Sequence, residues 1–356
     1  MRRLSLIACL ALLAQPAAAR DLNISLFVFR DLDRNGMYDA GEMPLSGTQV
    51  VLEQDGRDRI VQNANLSGFA NFQMSDDEDL DIRTPGPVSF TVVPPEGYEI
   101  TTGNRVQAGE IRALPQAPAG LVLDPPNDFV GLAPILTIEA AADGVDAMVC
   151  LSEDGEVVVG AEEGDRFVCT LGAPGTWSVG WSLDGDGMVQ RIVQVGDWPV
   201  RIPVAEGGAT GDADLVERFE GRIASENIVE MGAADGFVWH NLIATHNKFY
   251  GGWGYINGTS SGEFVGYNSS GHPVTLTSDA PFDFHGALVG VAWAGALDAP
   301  VRFRAYRDGE LVGEDAFIAS NYRPVWFDAG WTGIDRLEIS HDHYWQIVLD
   351  DITLSR

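Results

Sequence analysis

A twelve-residue segment near the start of the chain carries oxygen-bearing side chains at the spacing that surrounds a calcium ion. These side chains occupy positions 1, 3, 5, 9 and 12 of the segment: Asp31, Asp33, Asn35, Asp39 and Glu42. Gly36 at position 6 permits a sharp turn, and the backbone carbonyl of Met37 at position 7 can face inward. Calcium binds about six to eight oxygens, so alternate side chains turn towards it as the chain curls. The segment predicts a calcium site, with a merely polar loop as the alternative.

The segments on either side of this loop do not have a helical pattern. Residues 23–29 before it and residues 44–52 after it alternate between apolar and polar side chains, which is typical of strands. The loop therefore joins two strands, or a strand and a short turn. The opening motion of helix-loop-helix calcium sensors is not available to such a loop, so we expect a structural calcium.

Further side chains that could bind a ligand or a metal occur late in the chain. An aromatic ring can stack on the apolar face of a sugar, and four rings are candidates, with core packing as the alternative for each: Trp253, Tyr255, Trp326 and Trp345. Asp350 lies in the last predicted strand and, with Glu220 as partner, predicts a second calcium site. His341 and His343 have the spacing of some zinc ligands, but no third ligand is evident, which favours a hairpin loop.

The chain shows no motif of a known catalytic machinery. It contains no nucleophile elbow, no metalloprotease helix motif and no phosphate-binding loop. Its 52 acidic residues leave room for a glycosidase pair of carboxylates, but no particular pair stands out. We therefore expect a protein that acts by binding rather than by catalysis.

Short alternating or apolar runs recur along the whole chain, separated by Gly, Pro, Asp and Asn. This pattern predicts an all-β architecture of sandwiches or barrels. Two stretches rich in turn-forming residues, 124–134 and 206–212, indicate joints between domains. We therefore predict three β domains in tandem, at residues 20–132, 133–212 and 213–356.

The first 19 residues have the order of a secretory signal peptide. A short positive start is followed by an apolar run of about ten residues and then by small residues ending at Ala19. The apolar run is too short to span a bilayer, so we expect cleavage after Ala19 and a protein in the periplasm, at the cell surface or outside the cell. A lipoprotein-type box ending at Cys9 is the alternative.

Cysteine count and charge agree with an extracellular setting. Removal of the signal peptide leaves Cys150 and Cys169, which predict a disulfide, with two buried free thiols as the alternative. The net charge of −30, with Lys248 as the one lysine, argues against nucleic acid as a partner. No later stretch is apolar over the eighteen or so residues that a membrane span needs.

Residues 21–132 resemble the B-type repeat domains of serine-aspartate-repeat surface proteins and the related collagen-adhesin B-type domains. The calcium loop is the most specific part of the match. The other matching segments are Leu45-Ser46-Gly47-Thr48, Ser67-Gly68-Phe69, Pro94-Pro95-Glu96-Gly97-Tyr98 and Asn127-Asp128-Phe129-Val130-Gly131. The resemblance implies an Ig-like or prealbumin-like sandwich that calcium makes rigid and that serves as a spacer. The domain occurs once here, and the acidic run 76–79 replaces an expected turn.

Residues 213–356 resemble the lectin-like jelly-roll domains of secreted, exosortase-sorted bacterial proteins of the PEP-CTERM type. Those domains are similar in turn to galactose-binding-like carbohydrate-binding modules. The matching segments include Trp239-His240-Asn241, Phe249-Tyr250-Gly251-Gly252-Trp253, Val265-Gly266-Tyr267-Asn268 and Leu349-Asp350-Asp351-Ile352. The resemblance implies a jelly-roll sandwich as the part that faces a ligand.

These expectations combine into one hypothesis and two alternatives. The hypothesis is a secreted, calcium-stabilised binding or adhesion protein that recognises extracellular or cell-surface glycan through its C-terminal domain. One alternative is a glycan-degrading enzyme on the same jelly-roll scaffold. The other is a purely structural protein of the extracellular matrix.

Overall fold

The computed structural model describes residues 24–56, 59–72, 85–113, 121–183, 187–204, 213–223, 228–342 and 346–356. Within these ranges the regular secondary structure is almost all strand, with one short α-helix and two 3-10 turns, which confirms the predicted all-β fold. No helix in these ranges is long and apolar enough to cross a membrane. Several sequence predictions lie outside them: the signal peptide, the acidic run 76–79, His343 and Trp345.

The first unit is a sandwich of two sheets. Its strands are β1 (Ile24–Arg30), β2 (Gln49–Gln54), β3 (Ile60–Asn63), β4 (Phe69–Phe72), β5 (Gly86–Val93), β6 (Tyr98–Ile100), β7 (Val106–Ala113), β8 (Leu121–Asp124) and β9 (Phe129–Pro134). One sheet has the order β4-β1-β9-β6 and the other β3-β2-β5-β7-β8. Alternate side chains such as Leu26, Val50 and Phe90 are buried in one core because strands turn every second residue inward.

The middle unit is a smaller sandwich. Its strands are β10 (Thr137–Ala141), β11 (Val145–Ser152), β12 (Val157–Val159), β13 (Ala161–Glu163), β14 (Arg166–Thr170), β15 (Gly175–Leu183), β16 (Gly187–Val195) and β17 (Val200–Ile202). The order β12-β11-β15-β16 forms one face, and β13-β14-β10-β17 forms the other. Cys150 in β11 and Cys169 in β14 form a disulfide between the two faces, which confirms the predicted pairing.

The third unit holds the rest of the chain. Its elements are β18 (Leu215–Glu217), β19 (Ile228–Glu230), β20 (Ala233–Ala234), β21 (Phe237–His240), β22 (Leu242–His246), α1 (Trp253–Asn257), β23 (Phe264–Asn268), β24 (Val274–Val291), β25 (Pro300–Arg307), β26 (Glu310–Ile318), β27 (Val325–His341) and β28 (Ile347–Ser355), with 3-10 turns at Ser269–Gly271 and Ala294–Ala296. A core that includes Leu276, Phe284 and Phe303 lies between its layers.

The two longest strands of the third unit belong to both layers. The first half of β24 pairs with β21 and with the second half of β27. Its second half pairs with β28 and with the first half of β27. Register shifts between these halves mark β-bulges, which bend a strand and allow it to pass from one layer to the other.

The middle and third units share one continuous sheet. Strand β17 lies parallel to β27, with Val200 opposite Trp326 and Arg201 opposite Phe327. The guanidinium of Arg201 also donates two hydrogen bonds to Asp315, at 2.9 and 2.8 Å, and both side chains are buried. The sequence predicts separate domains that meet at residue 212. In the structure the last two units share a sheet through β17 and β27.

Candidate functional site

The predicted calcium loop begins where β1 ends and curls back on its first residue. Asp31 is fully buried, and its backbone N–H donates to the Leu132 carbonyl at 3.0 Å. Its carboxylate accepts hydrogen bonds from the backbone N–H groups of Asn35, at 3.1 Å, and Gly36, at 2.9 Å. Gly36 has a φ of +76°, a conformation that glycine adopts without the steric cost of a Cβ. The sequence therefore turns tightly around the Asp31 carboxylate.

Three carboxylates converge inside this loop. Asp31, Asp33 and Glu42 each place an oxygen within 4.8 Å of the others. Glu42 Oε2 accepts a hydrogen bond from the Asp39 backbone N–H at 2.8 Å, whereas Oε1 is buried and has no hydrogen-bond partner. Burial raises the pKa of Glu42, and the nearby charges of Asp31, Asp33 and Asp39 raise it further. A cation at the centre would offset this repulsion, so the donor set fits calcium.

The remaining predicted ligands are linked to these carboxylates by hydrogen bonds. Asn35 Nδ2 donates to Asp33 Oδ2 at 2.9 Å and to Asp39 Oδ2 at 2.6 Å. Met37 is 59% exposed, and its backbone N–H donates to Asn35 Oδ1 at 2.7 Å. All six predicted positions thus belong to one small network.

The predicted second calcium site is not assembled in this way. Glu220 Oε1 accepts hydrogen bonds from the backbone N–H groups of Glu263 and Phe264. Asp350 is fully buried, and its Oδ2 accepts from the backbone and the hydroxyl of Ser260. Within the described ranges, neither carboxylate belongs to a group of three metal-ligating side chains. Both carboxylates thus accept hydrogen bonds from the segment that runs from Ser260 to Phe264, and a second calcium here stays a prediction.

The aromatic side chains that were predicted to contact sugar have structural positions. Tyr255 is fully buried, and its hydroxyl donates to Gln346 Oε1 at 2.8 Å. Trp326 packs against the core of the middle unit. Trp253 lies against Gly47 of the first unit, where a Cβ would come within 2.3 Å of ring atom Cε3. These three rings therefore pack within and between units, and sugar contact by them stays a prediction.

A different set of rings is open to solvent beside the calcium loop. We call it the aromatic cleft and define it by Phe27, Tyr38, Phe69, Phe129 and Lys248, which line a volume of about 550 Å³. Tyr38 is 48% exposed and Phe69 is 40% exposed. The Phe27 ring centroid lies 4.9 Å from that of Phe69 and 5.0 Å from that of Tyr38. Other residues contribute polar groups to the lining: Ser25, Ser67, Asn127 and Asp128.

Strand register explains why three phenylalanines meet in this cleft. In the sheet β4-β1-β9, Phe27 is the direct cross-strand partner of both Phe69 and Phe129. Phe27 alternates with the buried residues Leu26 and Val28, so it lies on the outer face of the sheet. The sign of this cleft in the sequence is an apolar residue, Phe27, at an outward position of an alternating strand. The cleft could not be predicted from that sign alone, because the pairing of β4 and β9 with β1 is not visible in the sequence.

Lys248 lines the cleft but belongs to the third unit. Buried hydrogen bonds join that unit to the first. The buried Asn257 side chain donates to the Ser46 carbonyl at 3.0 Å and accepts from the Ser46 backbone N–H at 3.0 Å. Arg30, also buried, donates to the Asn257 carbonyl at 3.0 Å and lies over the Trp198 ring of the middle unit at 5.3 Å. Burial lowers the pKa of Arg30. All three units therefore meet directly behind the calcium loop.

Comparisons with known proteins add structural neighbours only. No family model matches the chain, and no curated protein matches it. The Bacillus anthracis TIE protein is similar at 11% identity and a TM-score of 0.23, over 88% of this chain and 50% of that one. The CBM51-2 and INT domains from Clostridium perfringens ZmpB are similar at 14% identity and a TM-score of 0.24, over 52% of this chain and 38% of that one. A structure of those domains with CBM51-2 in complex with GlcNAc gives 13% identity and a TM-score of 0.26, over 56% of this chain and 43% of that one.

The chain thus spans half or less of the length of each of these structures. At these identities and TM-scores, the likeness assigns neither a family nor a ligand to this chain.

Proposed function

We propose that the chain is a secreted, calcium-stabilised binding or adhesion protein whose ligand is glycan. The observation that carries the proposal is a solvent-open cluster of aromatic rings built onto an acidic loop with calcium spacing. The Cys150–Cys169 disulfide supports the extracellular part of the proposal, because disulfides persist in oxidising compartments.

Calcium would be held by the side chains of the loop and by one backbone carbonyl. The side-chain ligands would be Asp31, Asp33, Asn35, Asp39 and Glu42, with the carbonyl of Met37. The ion would supply positive charge to three carboxylates that otherwise repel one another. The Oε1 atom of Glu42 is buried and has no hydrogen-bond partner. A cation would satisfy this oxygen, which supports the proposed site.

The aromatic cleft has the chemistry that a sugar ring requires. Pyranose rings present apolar C–H faces, which pack on aromatic rings, and hydroxyl edges, which need hydrogen-bond partners. Tyr38 and Phe69 offer the rings, while Ser67, Asn127 and Lys248 offer polar groups at the margin. Its volume of about 550 Å³ falls within the range of about 300–1,000 Å³ that is typical of small-molecule sites.

Thermal melting tests the calcium part of the proposal. The melting midpoint should fall when EDTA is added and should recover when calcium is restored in excess. Magnesium should restore it less well, because that ion demands a tighter octahedral set of oxygens. A melting curve that EDTA leaves unchanged would show that the loop does not need calcium.

A glycan array in saturating calcium tests the ligand. At least one oligosaccharide should bind, and Phe69→Ala should weaken its binding about tenfold, as expected for loss of one ring contact of about 1.4 kcal/mol. Ile192→Ala removes an exposed apolar side chain of the middle unit, 68% exposed, and should leave binding unchanged.

Two outcomes of the same experiment would favour the alternatives. Release of new reducing ends from a bound polysaccharide would identify a glycan-degrading enzyme. A blank array would favour a structural matrix protein.

A further inference from the structure

Resting on the proposed function, we propose that calcium controls the aromatic cleft. The bound ion would fix the Tyr38 ring as one wall of the glycan site, and loss of the ion would open that wall. Glycan affinity would therefore depend on calcium, although no calcium ligand lines the cleft.

Tyr38 belongs to the calcium loop and to the cleft at the same time. It is position 8 of the loop, between the predicted backbone ligand Met37 and the predicted side-chain ligand Asp39. Its ring meets the rings of Phe27, at 5.0 Å, and Phe29, at 5.2 Å, in edge-to-face contacts. A shift of the backbone at positions 7 to 9 must therefore move a ring that lines the cleft.

Repulsion between carboxylates should change the shape of the loop when the metal leaves. The oxygens of Asp31, Asp33 and Glu42 lie within 4.8 Å of one another, so their negative charges repel when no cation lies between them. Asp31 is buried and bonded to the backbone of β9, whereas Asp33, Tyr38 and Asp39 are exposed. Relaxation should therefore occur in the outer half, which carries Tyr38.

The other walls of the cleft do not share this dependence. Phe27, Phe69 and Phe129 lie on three hydrogen-bonded strands of the first unit, and Lys248 belongs to the third unit. Metal removal should therefore move the Tyr38 wall alone. Glycan binding should become weaker but should not be lost.

Hydroxyl-radical footprinting with calcium alone tests the coupling without any glycan. Calcium should lower the labelling of Tyr38 and of Phe27, because the ordered Tyr38 ring covers Phe27. Tyr306 of the third unit, which stacks on Arg336, is the internal control and should not change. If calcium saturates the loop while the labelling of Tyr38 and Phe27 stays constant, the inference is overturned.

Calorimetry with calcium and with an oligosaccharide that binds on the array tests the consequence. Coupling between two sites is reciprocal, so calcium should raise the oligosaccharide affinity by the same factor by which the oligosaccharide raises the calcium affinity. We expect a factor on the order of tenfold. Tyr38→Ala should still bind calcium, yet its weaker glycan binding should no longer respond to calcium.

The outcomes separate this inference from the proposed function. Glycan binding that is equal with calcium and with EDTA overturns the inference and leaves the proposed function intact, as does a Tyr38→Ala protein that keeps the full calcium response. Absence of glycan binding in saturating calcium overturns the proposed function, and footprinting with the metal alone still decides whether Tyr38 follows the ion.

Discussion

Burial raises the pKa of two carboxyl groups, Glu42 and Asp350, but their surroundings differ. Glu42 faces the carboxylates of Asp31 and Asp33 across the loop, where a cation would balance the charge. Asp350 is fully buried and accepts hydrogen bonds from Ser260, with Asp351 as its charged neighbour. Burial, and then Asp351, raises the pKa of Asp350 to about 8. In the proposed function Glu42 would bind a metal, whereas burial favours the protonated form of Asp350.

Replacement of Glu42 by Gln keeps the shape of the side chain and removes its charge. The variant should bind calcium at least about tenfold more weakly, because position 12 supplies up to two of the ligand oxygens. Calorimetric titration with calcium measures the effect. Glu53→Gln, at an exposed position of the same unit, is the matched control and should bind calcium normally. Equal affinity in the two variants would contradict the assignment of Glu42.

Asp350 predicts a pH dependence of stability with a definite sign. In the unfolded chain its pKa is about 3.9, whereas in the folded protein it is about 8. Between these values the folded state holds a proton that the unfolded state has lost, so stability falls as pH rises through this window. Asp350→Asn should remove this part of the slope, measured as the melting midpoint against pH in EDTA. A slope that is unchanged in the variant would contradict the prediction.

At the scale of elements, a turn and a helix join the first and third units. Gly47, between the calcium loop and β2, has a φ of +82° and lies against the ring of Trp253 in α1. Asn257, at the end of α1, holds Ser46 through hydrogen bonds in both directions. The short helix therefore acts as the contact through which the third unit holds the first.

Gly47→Ala should separate steric contact from backbone strain. A Cβ at this position would lie 2.3 Å from the Trp253 ring, in addition to the strained φ. Gly56 has a similar φ of +72°, and a Cβ added there would meet no atom within 4 Å. Gly56→Ala therefore measures backbone strain alone, about 1–2 kcal/mol. Chemical denaturation should show a larger loss for Gly47→Ala than for Gly56→Ala. Equal losses would mean that Trp253 moves away without cost.

At the scale of the whole molecule, the last two units are joined by a shared sheet. They share a sheet through β17 and β27, and the Arg201–Asp315 pair is buried beside that junction. Arg191 adds a hydrogen bond to the Asp328 carbonyl at 2.8 Å. Because breaking this sheet would expose both cores, we expect the two units to unfold in one transition.

Removal of one partner of the buried pair tests this cooperativity. Arg201→Met leaves the Asp315 carboxylate buried without its partner and should cost about 3–5 kcal/mol. Calorimetry should show a single lowered transition for the middle and third units. Arg112→Met removes an exposed arginine of the first unit, paired only at the surface, and should leave the transition of the middle and third units unchanged. Two separate transitions in Arg201→Met would contradict a continuous structure.

Local patterns in the sequence determined the features that depend on neighbouring residues. Alternation along strands determined the all-β fold, because the side-chain period of a strand is two wherever it lies. Loop spacing indicated the positions of Asp31 to Glu42, because ligands within one turn are placed by local backbone geometry. The disulfide was predictable because Cys150 and Cys169 are the two cysteines outside the predicted signal peptide.

Only the tertiary structure decided which side chains are open to solvent and which elements meet. Trp253 and Tyr255 have the same ring chemistry as Tyr38 and Phe69, and nothing local distinguishes a packing ring from an exposed one. The distinction depends on strand register between residues far apart in sequence, such as Phe27 with Phe129, and on docking between units. Those long-range pairings also place Lys248 beside the calcium loop and make the middle sheet continuous with the last.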